Sequence, residues 1–97
     1  MTVDAYRTWW PEFATVFVEL RALGRQDIAD ELDRAVRGSA TSGELLGNVG
    51  LVLRRQDVQR SRLSRDGRCA WDAVMRDVNR ENPLRRFAYR LRRLIWP

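Results

Sequence analysis

Ninety-seven residues, 44% hydrophobic and 32% charged, suffice for one globular domain with a modest core and exclude a disordered chain. A single cysteine excludes an intrachain disulfide and a cysteine-rich zinc site. The absence of histidine removes the commonest general base and metal ligand near neutral pH.

The net charge is +5, and all eighteen basic residues are arginine. Residues 1–53 carry five arginines against eight acids, whereas residues 54–97 carry thirteen against five. Such a split between an acidic and a basic half points to an acidic partner or to pairing between the halves. No apolar run is long enough to span a bilayer, and the N-terminus lacks the basic and apolar regions of a signal peptide. Together with the lone cysteine, this leads us to expect a cytoplasmic protein.

The spacing predicts a first helix over Asp4–Leu23. Tyr6, Trp10, Phe13, Phe17 and Leu20 step by four, three, four and three, a continuous apolar stripe. Pro11 is comfortable only in a first turn, so the main helix is expected to start at Trp10–Pro11 behind a short turn. Five of the nine aromatic residues lie here, which marks this helix as the main supplier of the core. Trp9 lies about 100° around from Trp10 on an unbroken helix, and either joins the core or forms an exposed anchor for a partner. Gly24 should end the helix at the C′ position.

A second helix is expected over Gln26–Arg37. Ile28, Leu32 and Val36 would face inward, while Asp27, Asp30, Glu31 and Asp33 cover a solvated face. Asp30–Arg34 and Asp33–Arg37 have the favourable i,i+4 orientation. With no histidine and with arginines interleaved, these carboxylates do not read as a metal or catalytic cluster. Gly38 closes the helix. Thr41 and Glu44 then form a capping-box pattern that opens a third helix to Leu53. Gly43, Gly47 and Gly50 share one stripe of it, which suggests close approach of another helix, a docking groove, or simply a weak helix. The short links favour antiparallel stacking of these helices.

Between Arg54 and Arg68 the pattern decays into six arginines with Val58 and Leu63 as the apolar anchors, a partly helical stretch frayed near Gly67. Cys69 reads as a small buried hydrophobe. Trp71, Val74, Met75 and Val78 mark a fourth helix. Asn82–Pro83 caps and starts a fifth, whose buried face is Leu84, Phe87, Ala88, Leu91, Leu94 and Ile95. The fold class expected is thus all-α: one domain over 1–97, a bundle of four to five helices.

Residues 20–53 resemble a pattern found in small helical proteins of bacteria. The resemblance is carried by Leu20-x-x-Leu23-Gly24, Ile28-Ala29-Asp30-Glu31-Leu32 and Ala35-x-x-Gly38-Ser39-x-Thr41-x-x-Glu44-Leu45-Leu46. Some proteins of that kind are immunity proteins, which bind and silence a cognate toxin. The glycine-bearing third helix and the arginine-rich C-terminal half depart from the pattern. The resemblance implies an all-α bundle that acts by binding.

No nucleophile elbow, phosphate-binding glycine loop or catalytic triad is present, so no enzyme is expected and no cofactor or metal is implied. Our first expectation is an inhibitor or immunity-type protein that occludes a partner, a toxin or other effector, with an acidic surface. Its binding residues would be Arg85, Arg86, Arg90, Arg92, Arg93 and Trp96, with Trp9 as an outlying candidate. The alternative is a small nucleic-acid-binding protein using the same arginines with Arg54, Arg55, Arg60, Arg62 and Arg65. No helix-turn-helix, RNP or zinc-finger pattern supports base readout. A homodimer that completes the apolar stripes is a third reading.

Overall fold

The computed structural model describes residues 3–79, and these are all-α. The helices are α1 (Val3–Trp9), α2 (Pro11–Ala22), α3 (Gln26–Arg37), α4 (Ser42–Arg55) and α5 (Arg65–Asn79), with a 3-10 helix at Asp57–Arg62. Six helical elements thus precede residue 80, more than the four to five expected for the whole chain. Proline and a tight connector account for the difference. The expected cap at Asn82–Pro83 and the fifth helix lie outside the described residues.

Pro11 divides the first predicted helix because it has no N–H and its ring excludes helical backbone at the preceding residue. Trp10 accordingly takes φ −145°, ψ 72°. Its N–H closes α1 on the Tyr6 carbonyl at 2.7 Å, and its own carbonyl opens α2 by accepting from Ala14 at 3.0 Å. The kink folds α1 back so that both tryptophans enter the core, Trp9 at 3% exposure and Trp10 at 0%. Phe13 stacks on Trp10 at 4.9 Å and meets Tyr6 edge-on at 4.9 Å. Phe17 extends the cluster, with its ring 5.7 Å from that of Tyr6.

Gly24 ends α2 with φ +78°, a conformation that side chains rarely adopt. The Gly24 N–H bonds the Arg21 carbonyl at 3.0 Å and the Arg25 N–H bonds that of Leu20 at 2.9 Å. This pair of bonds is the Schellman closure, so the α2–α3 turn needs only three residues. The α4 start follows its capping box in part. Thr41 Oγ1 accepts from the Glu44 N–H at 3.1 Å, and Glu44 Oε2 reaches past the cap to the Ala40 N–H at 2.9 Å.

Helix α2 packs on α1, α3 and α5, and α4 packs on α3 and α5. The four helices α2–α5 therefore close a ring around one core, with α1 laid over the end of α2. Val16, Leu20, Ile28, Leu32, Val49, Leu53 and Val74 fill its centre, all at 1% exposure or less.

The three glycines of α4 part ways. Gly43 and Gly47 are exposed, and only Gly50 is buried. A Cβ on Gly50 would lie 2.6 Å from Val78 Cγ1 of α5, so close helix approach explains this one position. Val78 is β-branched and has little rotamer freedom to yield. Gly50→Ala should therefore destabilise by about 1–2 kcal/mol, despite a helix-propensity gain of about 1 kcal/mol. Chemical denaturation checks this, and a Val78→Ala background should remove the penalty.

Helix α5 starts earlier than expected, and the fraying anticipated near Gly67 is absent. Ser64 takes the N-cap position: its hydroxyl oxygen accepts from the Gly67 N–H at 3.1 Å and its carbonyl from the Arg68 N–H at 2.8 Å. Glu19 of α2 supplies the reciprocal carboxylate. It accepts from the Ser64 N–H at 2.9 Å and from the Ser64 hydroxyl at 2.7 Å. A capping box normally draws that carboxylate from the helix's own third residue. Here that residue is Gly67, and its missing side chain is where Glu19 sits: a Cβ would lie 2.6 Å from Glu19 Cδ. The glycine fixes α5 onto α2 instead of loosening it.

Two further expectations are corrected. Val58 is 71% exposed, leaving Leu63, at 3%, as the buried anchor of the connector. Cys69 is exposed, because Ala70, Trp71 and Val74 set the buried face of α5 and Cys69 falls about 100° outside it.

Candidate partner-binding site

Trp9, the outlying candidate, is the one residue of the expected partner-binding set within the described structure. Its ring packs 5.8 Å from Trp10 and 6.0 Å from Tyr6, and at 3% exposure it offers no surface to a partner. The anchor role considered for Trp9 is corrected to a core role, a direct result of the Pro11 kink. Arg85, Arg86, Arg90, Arg92, Arg93 and Trp96 lie outside the described residues.

The other arginines fall into two groups. Arg60 grips Asp72 with two parallel bonds, Nε to Oδ1 at 2.9 Å and Nη2 to Oδ2 at 2.6 Å. These bonds hold the Asp72 carboxyl below its ordinary range and raise the Arg60 guanidinium. Arg54 donates to Asn79 Oδ1 at 2.9 Å, and Arg55 stands 3.6 Å from Glu31, ion-pair range but beyond a hydrogen bond. Arg68 reaches back to the Leu63 carbonyl at 2.8 Å. Arg62 and Arg65 are exposed, and neither forms an ion pair or side-chain hydrogen bond among the described residues. The five arginines named for nucleic acid therefore present two uncommitted guanidiniums, flanking Ser64.

Among the described residues, pairing between the two halves is slight. Of the five ion pairs among the described residues, Arg55–Glu31 alone joins the halves; the others are local, such as Arg37–Asp33 one turn apart on α3. The charge divides more sharply elsewhere. Residues 1–79 hold twelve arginines and twelve acids, and residues 80–97 hold six arginines and one acid. The whole surplus of +5 belongs to the last eighteen residues.

The acidic face of α3 is less solvated than its sequence suggested. Asp33 is half-buried, pairs with Arg37 and accepts the Tyr6 phenol proton at 2.5 Å. Asp30 accepts from Gln26 at 2.8 Å. Burial first, and the adjacent Asp33 carboxylate second, push the Tyr6 phenol well above its ordinary value of 10.0. A raised phenol pKa favours the neutral, folded form, so this contribution is complete below pH 10 and is lost as pH rises above it. Thermal midpoints should fall above about pH 10, and Tyr6→Phe should flatten that fall while costing about 1 kcal/mol at neutral pH. A titration of both proteins from pH 7 upward checks the prediction.

A second buried polar pair joins α5 to the Trp10 ring. The Trp10 indole Nε1 donates to Asp77 Oδ2 at 3.2 Å, with Asp77 at 7% exposure. Among the described residues no group of three or more cysteines and acids is arranged to hold a metal ion, and no helix is long and apolar enough to cross a membrane.

No family model matches the chain, and no match is found among curated proteins or solved structures. None of these comparisons supports the resemblance of residues 20–53 to small helical proteins of bacteria. Several of the residues that carry it are now explained by local geometry: Gly24 by its positive φ, and Thr41 and Glu44 by their capping bonds.

Proposed function

We infer that the protein acts by stoichiometric, non-enzymatic binding: a charge-neutral helical bundle carries a basic C-terminal segment that docks on a partner with an acidic surface and occludes it. The observation that supports this reading is the placement of the entire +5 surplus in residues 80–97. In that segment Arg85, Arg86, Arg90, Arg92 and Arg93 alternate with Leu84, Phe87, Leu91, Leu94 and Ile95. Such a mixture suits a protein interface, where a charged rim steers association and apolar residues supply the desolvated contact. An inhibitor or immunity role, in the cytoplasm, is the form of binding that fits best.

The nucleic-acid alternative draws on a broader arginine surface, and Arg55 and Arg60 already face the carboxylates of Glu31 and Asp72. Affinity capture with the full chain and with an Arg90→Glu/Arg93→Glu variant tests the protein-partner reading, followed by calorimetry on the captured protein. The expected result is a fixed stoichiometry and about 100-fold weaker binding by the variant, as two interfacial charge pairs become repulsive. Equal capture by both chains, or binding without a fixed stoichiometry, would overturn it.

A further inference from the structure

Gly47 has no structural reason among the described residues. A Cβ placed on it meets nothing within 4 Å, so the glycine weakens α4 without admitting a neighbouring element. Four residues on, Leu51 is 54% exposed. Glu44, Gly47, Leu51 and Arg54 follow at steps of three, four and three, which keeps them on one face of the helix, and all four are exposed. The order along that face is acid, gap, apolar knob, base.

This order is complementary to itself when reversed. Gly47 and Leu51 are equally distant from Val49, and so are Glu44 and Arg54. An antiparallel pair of α4 helices therefore sets the knob of each over the gap of the other and each acid against a base. We propose that α4 is a self-association surface, joining two copies of this chain about a two-fold axis, with Leu51 seated on the partner's Gly47 and Glu44 paired with the partner's Arg54. The internal contacts of both charged residues leave capacity for this. Among the described residues Glu44 engages Ala40 through Oε2 and keeps Oε1, and Arg54 donates to Asn79 through Nη2 alone. A two-fold contact is the commonest closed form of self-association because one patch serves both partners. One helix pair buries less than about 1,200 Å², so the dimer is weak and concentration-dependent. The surface is built from α4 residues and does not rest on the role inferred for the C-terminal arginines.

Sedimentation velocity on the full chain, from about 10 μM to about 1 mM, covers weak association of this kind. The sedimentation coefficient should rise from monomer toward dimer across the range. Leu51→Glu, at an already exposed site, should keep the circular dichroism spectrum and weaken association at least about 10-fold. Gly47→Ala should raise the thermal midpoint while weakening association, a split that loss of fold does not produce. A monomer at every concentration, or association unchanged by both substitutions, would overturn the proposal.

Discussion

Replacing Trp10 with alanine should destabilise the protein by about 4–6 kcal/mol, a large share of the roughly 5–15 kcal/mol that holds a domain folded. The indole is fully buried, stacked on Phe13 and bonded to Asp77. Its removal opens a cavity where α1, α2 and α5 meet and takes a donor from a buried carboxylate. Trp10→Phe separates the two effects. It retains most of the ring and should cost about 1.5–3 kcal/mol, the range for a hydrogen bond to a charged group. Urea denaturation of both variants gives the comparison. Equal losses would show that the ring volume contributes nothing, contrary to its place in the core.

The second large effect is expected at Gly67, where alanine should cost about 2–4 kcal/mol and lower the thermal midpoint by roughly 10–20 °C. In most helices alanine is the better residue by about 1 kcal/mol. Here the added methyl occupies the space of the Glu19 carboxylate and forces it off Ser64, with the loss of both bonds to the α5 cap. A double-mutant cycle isolates the cause. In a Glu19→Ala background the space is empty, and Gly67→Ala should become neutral or stabilising. An unchanged penalty there would mean that the glycine is needed for some reason other than Glu19.

These two sites mark the boundary between what local sequence carries and what it does not. Pro11 as a first-turn residue, Gly24 as the end of α2, the limits of α3 and the Thr41 cap each depend on a few adjacent residues, and each was readable. The apolar stripe from Tyr6 to Leu20 was readable for the same reason, since helical spacing alone brings those residues to one face. The Ser64 cap was not, because its carboxylate lies 45 residues away in sequence. Serine followed three residues later by glycine carries no capping-box signal, and Asp66–Gly67 resembles a helix break.

The fate of Trp9 turned on the angle between α1 and α2, which the presence of Pro11 announces but does not specify. Asp33 read as a solvated acid because its partner Tyr6 is 27 residues distant. Val58 read as an anchor although the tight helix at Asp57–Arg62 turns it outward. Of the arginines proposed for binding, the sequence supplied clustering and sign. Internal use of Arg54, Arg55 and Arg60 became visible only once α4, the 3-10 helix and α5 were placed beside their partners. The five clustered arginines from Arg85 to Arg93, together with Trp96, lie outside the described residues.

The most direct test of the binding account is titration of a fluorescent 20-base-pair DNA with the full chain across a salt series. A protein built to engage phosphates loses affinity linearly in log salt, with a slope of about −0.9 for each phosphate neutralised. The account assigns the basic segment to an acidic protein surface and predicts weak, unsaturated DNA binding that disappears by about 0.15 M salt, where screening is strong. Saturable binding that persists at that salt with a steep slope would contradict it and would make nucleic acid the ligand.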